Sequence, residues 1–237
     1  GLVIGAMVSA AVLVPSIRRA RQSQGEGGRI QLKLAHVLDQ SHPVHGGMLR
    51  FKERLEQLSG GSVELLVIPN SPLGSETESL SQLRSGALAM TKVSAASLET
   101  FVPEMSVFSL PYLFRDRDHL WNVLEGEIGR ELLAAGDRVG VHGLAYYDSG
   151  SRSFYTVGRP VLRPEDVRGM KIRVMQSPMA MELIRTLGGA PTPVAWGELY
   201  TALQQGMVDG AENNPPITRS PGTTRWMSTR ASRMSSW

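Results

Sequence analysis

Arginine captures a carboxylate through a planar, two-pronged fork, and two arginines in this chain stand where that chemistry is possible. Arg173 lies in the alternating run Lys171-Ile172-Arg173-Val174-Met175. As a strand, this run puts Lys171, Arg173 and Met175 on one face and Ile172 and Val174 on the other. The plain alternative is a solvated strand face. Arg152 follows Gly150 between two strand-like runs, a place that suits either a pocket residue or an ordinary loop arginine. Asn213 and Asn214 close the run that begins after Asp209-Gly210. An amide there can bond a hydroxyl or a carboxylate, or it can simply make a turn. Trp196, just before the last helical run, either walls a cleft or belongs to the core.

Catalytic machinery is harder to find. His36, His42 and His45 form an H-x5-H-x2-H cluster. A metal site would want a carboxylate and one shared face, whereas the cluster straddles a strand end and a helix start, so it does not read as a metal site. Glu198 and Asp209 are the acid–base candidates, and helix and turn patterns explain both. There is no G-x-S-x-G nucleophile elbow, phosphate-binding loop or dinucleotide fingerprint. Cysteine is absent altogether, which excludes thiolate metal sites, disulfides and a cysteine nucleophile. Arginines without catalytic partners point to binding.

The elements that must position these residues occur twice. One pass runs from Ile30 (IQLKLA) through an amphipathic stretch to Gly60-Gly61, then SVELLVIP, a polar helix and LRSGALAM. The other runs from Met170 (MKIRVM) through an amphipathic stretch to Gly188-Gly189, then APTPV, a helix and LQQGMVDGAEN. Both are strand, helix, Gly-Gly, strand with proline, helix, Leu-x-x-Gly, strand. Two like α/β halves imply a crevice, and ligands of open α/β sheets sit at the carboxyl ends of the strands. By this correspondence Arg173 and Asn213 lie at strand ends facing the crevice.

Finer readings follow from local pattern. Met48, Phe51, Leu55 and Leu58 share a helical face that stops at Gly60-Gly61. Ser75 and Glu78 form a capping box. Gly86 and Gly206 end helices where a positive φ is needed. Phe101 to Phe114 reads as packed loop and short strand, Asp118 to Ala135 as one helix, and Val139 to Tyr147 as a buried strand. Pro164-Glu165-Asp166 opens a turn that delivers the Arg173 strand.

The chain has 237 residues, 41% of them hydrophobic and 20% charged, as a globular protein should. Its net charge of +3 comes from its ends. Residues 1–29 hold four arginines and one glutamate, and residues 217–237 hold four arginines and no acid. Removing these from 25 basic and 22 acidic residues leaves 17 and 21, so residues 30–216 are net −4. A nucleic-acid partner would need its basic patch on the folded domain, so nucleic acid is excluded as the partner. Leu2 to Val14 is thirteen apolar or small residues, too short for a confident membrane span and similar to the centre of an export signal. Arg18, Arg19 and Arg21 follow and oppose export. The expectation is an export signal or poorly cleaved anchor over 1–29, with a polar linker at 22–28.

After Pro216 the alternation of apolar and polar runs is lost. One synonymous codon choice for Gly222 to Trp237, read from the third base, encodes HYEVDEHPRLPDVLV. Trp226-Met227 admits a single codon pair and gives aspartate in that frame. The expectation is that 217–237 is a frameshift product that packs poorly.

Taken together, the motifs resemble the extracytoplasmic solute-binding subunit of tripartite ATP-independent periplasmic (TRAP) transporters, in the C4-dicarboxylate-binding family. The resemblance runs from Leu32 to about Pro216. It rests on SHP before the first helix, GGSVELLVIPNSPLGSETE, VFSLPYLF, PEDVRGMKIRV and AWGELYTALQQGMVDGAENN. It implies an α/β, two-lobed periplasmic-binding-protein-like fold with a ligand cleft between lobes, C-terminally truncated here. Lobe I is expected mostly in 30–147 and lobe II mostly in 148–216. By motif, Arg173 is similar to the arginine that pairs with the substrate carboxylate, Arg152 to a second arginine near the ligand, and Asn213 to the amide that orients it. Gln176, Trp196, Ser94 and His36 fall at positions that line the cleft in related proteins. The resemblance implies a receptor, not an enzyme. It would bind an organic acid, a C4-dicarboxylate or a sugar acid such as a hexuronate, and deliver it to the TRAP permease without any cofactor. Trp196 and the paired asparagines lean toward a hydroxylated ligand. The competing class is an enzyme or ligand-sensing protein on the same bilobal fold.

Overall fold

The computed structural model describes residues 3–10 and 29–214. The expected linker at 22–28 and the expected frameshifted tail at 217–237 lie outside the described residues. The first strand, β1 (Val3–Ala10), falls within the apolar run read as an export segment. It stands at the edge of a five-stranded sheet, beside the long strand β5 (Tyr146–Thr156). Among the described residues, no helix is long and apolar enough to cross a membrane.

The described residues fall into two compact units, one holding 9–10, 29–94 and 124–147, the other 3–8, 95–123 and 148–214. Residues 95–123 thus pack with the later part of the chain, although sequence order placed them with the earlier part.

The earlier unit is built on β2 (Ile30–His36), α1 (Pro43–Leu58), β3 (Val63–Ile68), α2 (Glu76–Ser85) and β4 (Met90–Lys92). Its sheet has the order β3-β2-β4 and is parallel throughout. Leu34, Met48, Leu65 and Met90 are its buried core, with Phe51 and Leu55 of α1 packed on them. The spacing predicted this face of α1, but Leu58 at its end is 70% exposed. At α2 the Ser75 hydroxyl accepts from Glu78 N–H (3.3 Å), and the Glu78 carboxylate accepts from Ser75 N–H (2.6 Å). This is the expected capping box, and Gly86 closes the helix at φ 81°.

The later unit carries α3 (Ala95–Leu98) and a 3-10 helix at Pro103–Ser109. The apolar segment from Phe101 therefore holds no strand. Its prolines interrupt any ladder. The helix expected from Asp118 is in fact two, α4 (Arg117–Glu125) and α5 (Glu127–Ala134), broken at Gly126. The chain passes between the two units within this pair, and Gly126 supplies the extended backbone at the break. The strand expected from Val139 starts only at Tyr146. A 3-10 turn (Asp137–Val139) and irregular backbone precede it.

Beyond β5 come β6 (Lys171–Val174), α6 (Pro178–Thr186), β7 (Ala190–Pro193), α7 (Leu199–Gln204) and β8 (Gly210–Asn213). The sheet order is β1-β5-β8-β6-β7. β6 lies parallel to β7 and to β8, and β5 runs antiparallel to β8. The subset β7-β6-β8 repeats β3-β2-β4 strand for strand, as the doubled sequence pattern predicted. Pro191 and Pro193 are tolerated because β7 is an edge strand. Alternation then sorts the two faces. Ile172 and Val174 pack with Ile184 of α6 and with Val161, Val167 and Met170. Ala211 and Tyr155 pack with Leu199, Ala202 and Leu203 of α7 and with Val194 and Val208.

Candidate functional site

Arg173 is set by the register of β6. It pairs across to Ala211 of β8, which in turn pairs with Tyr155 of β5. Paired residues share a face, so Arg173, Ala211 and Tyr155 form one row on the α7 side, and Asn213 follows two residues along. Arg173 is only 3% exposed, and its Nε donates to the Val194 carbonyl at 2.8 Å. The solvated-face alternative is therefore wrong for Arg173. It holds for Lys171, which is exposed at the start of the strand. Tyr155 is buried, and among the described residues its hydroxyl has no hydrogen-bond partner. Burial pushes its phenol up to about 12, with Arg173 and Arg152 opposing that rise and Glu212 adding to it.

Arg152 is not a loop residue. It lies inside β5, buried, and its guanidinium is gripped by the end of β8. Nε donates to Glu212 Oε2, Nη2 to Glu212 Oε1 (2.8 Å) and to the Glu212 carbonyl (2.8 Å), and Nη1 to Asn213 Oδ1 (2.9 Å). Asn213 Oδ1 also accepts from Asn214 N–H at 2.9 Å. Both neighbours are donors, which fixes the amide with its oxygen toward them. Asn214 Nδ2 donates to the Ser149 carbonyl at 2.6 Å. Glu212 is the residue that the sequence reading missed. Its signal was available: an acid inside a strand whose neighbours are all buried needs a cation beside it.

The remaining candidates divide between the units. Trp196 opens a 3-10 turn (Trp196–Glu198) and packs, half-buried, on the Tyr155–Val194–Leu199 cluster. Gln176 is exposed in the turn from β6 to α6. Asp209 Oδ2 accepts from Lys171 N–H at 2.7 Å, tying β8 to the start of β6, which is the structural role its turn pattern suggested.

Ser94 and His36 belong to the earlier unit. Ser94 donates through N–H and Oγ to Glu76 Oε1, at 3.0 and 3.1 Å. His36 is buried at the end of β2, its Nε2 3.0 Å from His45 Nδ1. His42 caps α1, its Nδ1 accepting from Val44 N–H at 3.2 Å. Among the described residues His36 Nδ1 and His42 Nε2 have no partner. Burial holds both rings down at about 4, and the nearby Lys92 charge adds to the effect. Among the described residues no group of three His, Cys, Asp or Glu side chains could hold a metal ion.

Residues 34–227 match the model of the bacterial extracellular solute-binding proteins, family 7. The chain belongs to that family. The match runs past Pro216, where the motif resemblance was expected to stop. The C4-dicarboxylate-binding periplasmic protein of Rhodobacter capsulatus is 35% identical over 214 residues, covering 90% of this chain and 63% of the relative. A TRAP periplasmic solute-binding protein of a Bradyrhizobium strain, solved with galacturonate, is 43% identical with a TM-score of 0.79, covering 84% of this chain and 65% of that one. One from Sulfurospirillum deleyianum, solved with succinate, is 35% identical with a TM-score of 0.79, covering 83% and 63%. The chain spans a little over half the length of other curated relatives, between 54% and 57%. Family 7 is a family of binding proteins, not of enzymes.

Proposed function

We propose that this family 7 chain is the solute-binding part of a TRAP transporter, which captures an organic acid outside the cytoplasm and hands it to the membrane permease. The two units are its two lobes, and residues 1–29 carry it across the inner membrane. The observation that carries the reading is Arg173, buried at the β6 end with Nε tied to Val194. Its planar guanidinium suits a ligand carboxylate, which it can meet through two parallel, charge-assisted hydrogen bonds. Asn213, its oxygen turned to Arg152, presents its Nδ2 to a ligand oxygen. Arg152 then acts as a brace for Asn213 more than as a direct ligand contact. Gln176, Trp196, Ser94 and His36 are proposed as secondary lining residues.

The ligand class is a C4-dicarboxylate or a hexuronate, supported by the succinate and galacturonate of the solved relatives. Calorimetry tests the proposal, titrating succinate, D-galacturonate, D-glucuronate and neutral D-galactose into the 237-residue chain. At least one acid should bind one-to-one and be recovered unchanged, while D-galactose gives no heat. Equal binding of the neutral sugar, conversion of the acid, or no heat with any acid overturns the reading. Conversion would instead favour an enzyme on the bilobal fold.

A further inference from the structure

Helix α6 follows the Arg173 strand after a three-residue turn, Met175-Gln176-Ser177. A helix start leaves N–H groups unpaired and concentrates partial positive charge, so it attracts anions. Its own first turn supplies no acid, and Pro178 occupies the first position. Compensation comes from far away in sequence. Glu99, buried just after α3, directs its carboxylate at this turn. Oε2 accepts from Ser177 Oγ at 2.8 Å and, at the longer distance of 3.4 Å, from Met179 N–H, while Oε1 accepts from Ser109 Oγ. Ser177 Oγ in turn accepts from Ala180 N–H at 3.0 Å, so its single proton is committed to Glu99. A second contact reinforces the first: Ala96 of α3 packs against Met175 in a buried pair.

We infer that Glu99 is a positioning residue. It is a built-in carboxylate that fills the anion seat at the start of α6 and fixes the β6–α6 turn, and with it the reach of Arg173 and Gln176. That last step rests on the proposed function.

The test compares the full chain with Glu99→Ala and Glu99→Gln. Glu99→Ala leaves three donors without an acceptor, so it should melt several degrees lower. Sodium formate should restore much of that loss, with sodium chloride at equal ionic strength as control, and formate should leave the wild type unchanged. Hydrogen exchange should quicken at 175–181 and not across β5 or β8. Affinity for the acid that the wild type binds should fall about tenfold or more, and Glu99→Gln, which keeps the shape, should recover most of it. If Glu99→Ala does not fold, faster exchange confined to 175–181 in Glu99→Gln supports the same conclusion. A wild-type melting temperature in Glu99→Ala, exchange raised uniformly in the variant that folds, or no rescue by formate overturns the inference. Wild-type chain that binds no acid counts against the proposed function alone, because rescue and exchange need no ligand.

Discussion

Arg152→Ala takes away Nε and Nη2 from the Glu212 carboxylate and Nη1 from Asn213, and leaves that carboxylate buried. The side chains of the pair are only 5% and 6% exposed, so water cannot replace the lost donors without the strand ends opening. The relevant cost is that of an uncompensated buried charge, about 3–5 kcal/mol, not the attraction within the intact pair. At about 2–4 °C per kcal/mol for a domain of this size, the melting temperature should drop by roughly 10 °C. Glu212→Gln keeps an acceptor for the guanidinium and should cost only about 1–3 kcal/mol. The Arg152→Ala/Glu212→Gln double variant removes the stranded charge. It should therefore be more stable than the sum of the two losses, by about 1–3 kcal/mol. Urea titration at pH 7, followed by circular dichroism, measures all three. An Arg152→Ala loss under about 1 kcal/mol, or strict additivity in the double variant, would refute the reasoning. The family resemblance made Arg152 a second arginine near the ligand, whose loss would weaken binding less than that of Arg173. The geometry shifts its main effect to stability, so affinities of this variant must be measured well below its melting transition.

Arg173→Ala should weaken organic-acid binding by a factor of about 30 to several thousand, and Arg173→Lys should retain part of it. Calorimetry checks this, and wild-type affinity in Arg173→Ala would remove the residue from the site. Because Arg173 is buried and bonded to Val194, its loss should also lower the stability of the unliganded protein, unlike that of a solvated strand residue. His36 and His42 are held neutral, at about 4 against 6.5 for the free side chain. The unfolded chain therefore binds more protons between those values. Their contribution is fully present above about pH 6.5 and is lost as pH falls toward 4. Scanning calorimetry should show the melting temperature falling over that window, with His36→Gln and His42→Asn together flattening the fall. A wild-type melting temperature that is flat from pH 6.5 to 4 would show that neither ring is held neutral. A Cβ at Gly210 would lie 2.5 Å from the Tyr155 carbonyl and 2.6 Å from Thr156 Cγ2. Gly210→Ala should accordingly force β8 off β5 at a cost of roughly 1–3 kcal/mol or more, read as a lower urea midpoint. An unchanged midpoint would mean that the strand ends yield freely.

Local chemistry was legible in the sequence where the cause is local. The Ser75–Glu78 capping box, the Gly86 stop and the Lys171–Val174 alternation involve residues within a turn of one another, and each formed as expected. The doubled order of elements was legible as well, because β3-β2-β4 and β7-β6-β8 arise from the same succession of strands and helices. Proline and glycine misled where they act on longer elements. Gly126 divided one expected helix into two, and the apolar proline-rich segment after Phe101 became a 3-10 helix where a short strand was expected.

Only the tertiary structure decided what the polar residues do. Arg152 could be read as a pocket residue or a loop arginine because its partner, Glu212, lies sixty residues away and meets it through antiparallel pairing of β5 with β8. Arg173 could have faced water. Its burial follows from β6 lying between β7 and β8 under α7, which no periodicity within five residues can reveal. Glu99 drew no notice at all, since an acid just after α3 meets the start of α6, 78 residues along the chain, only once the fold brings Ser177 within 2.8 Å. Side-chain type and spacing determined which groups were present and how each element formed. Burial and long-range pairing, which set the cost of every unpaired charge, decided which of those groups must hold one another in place.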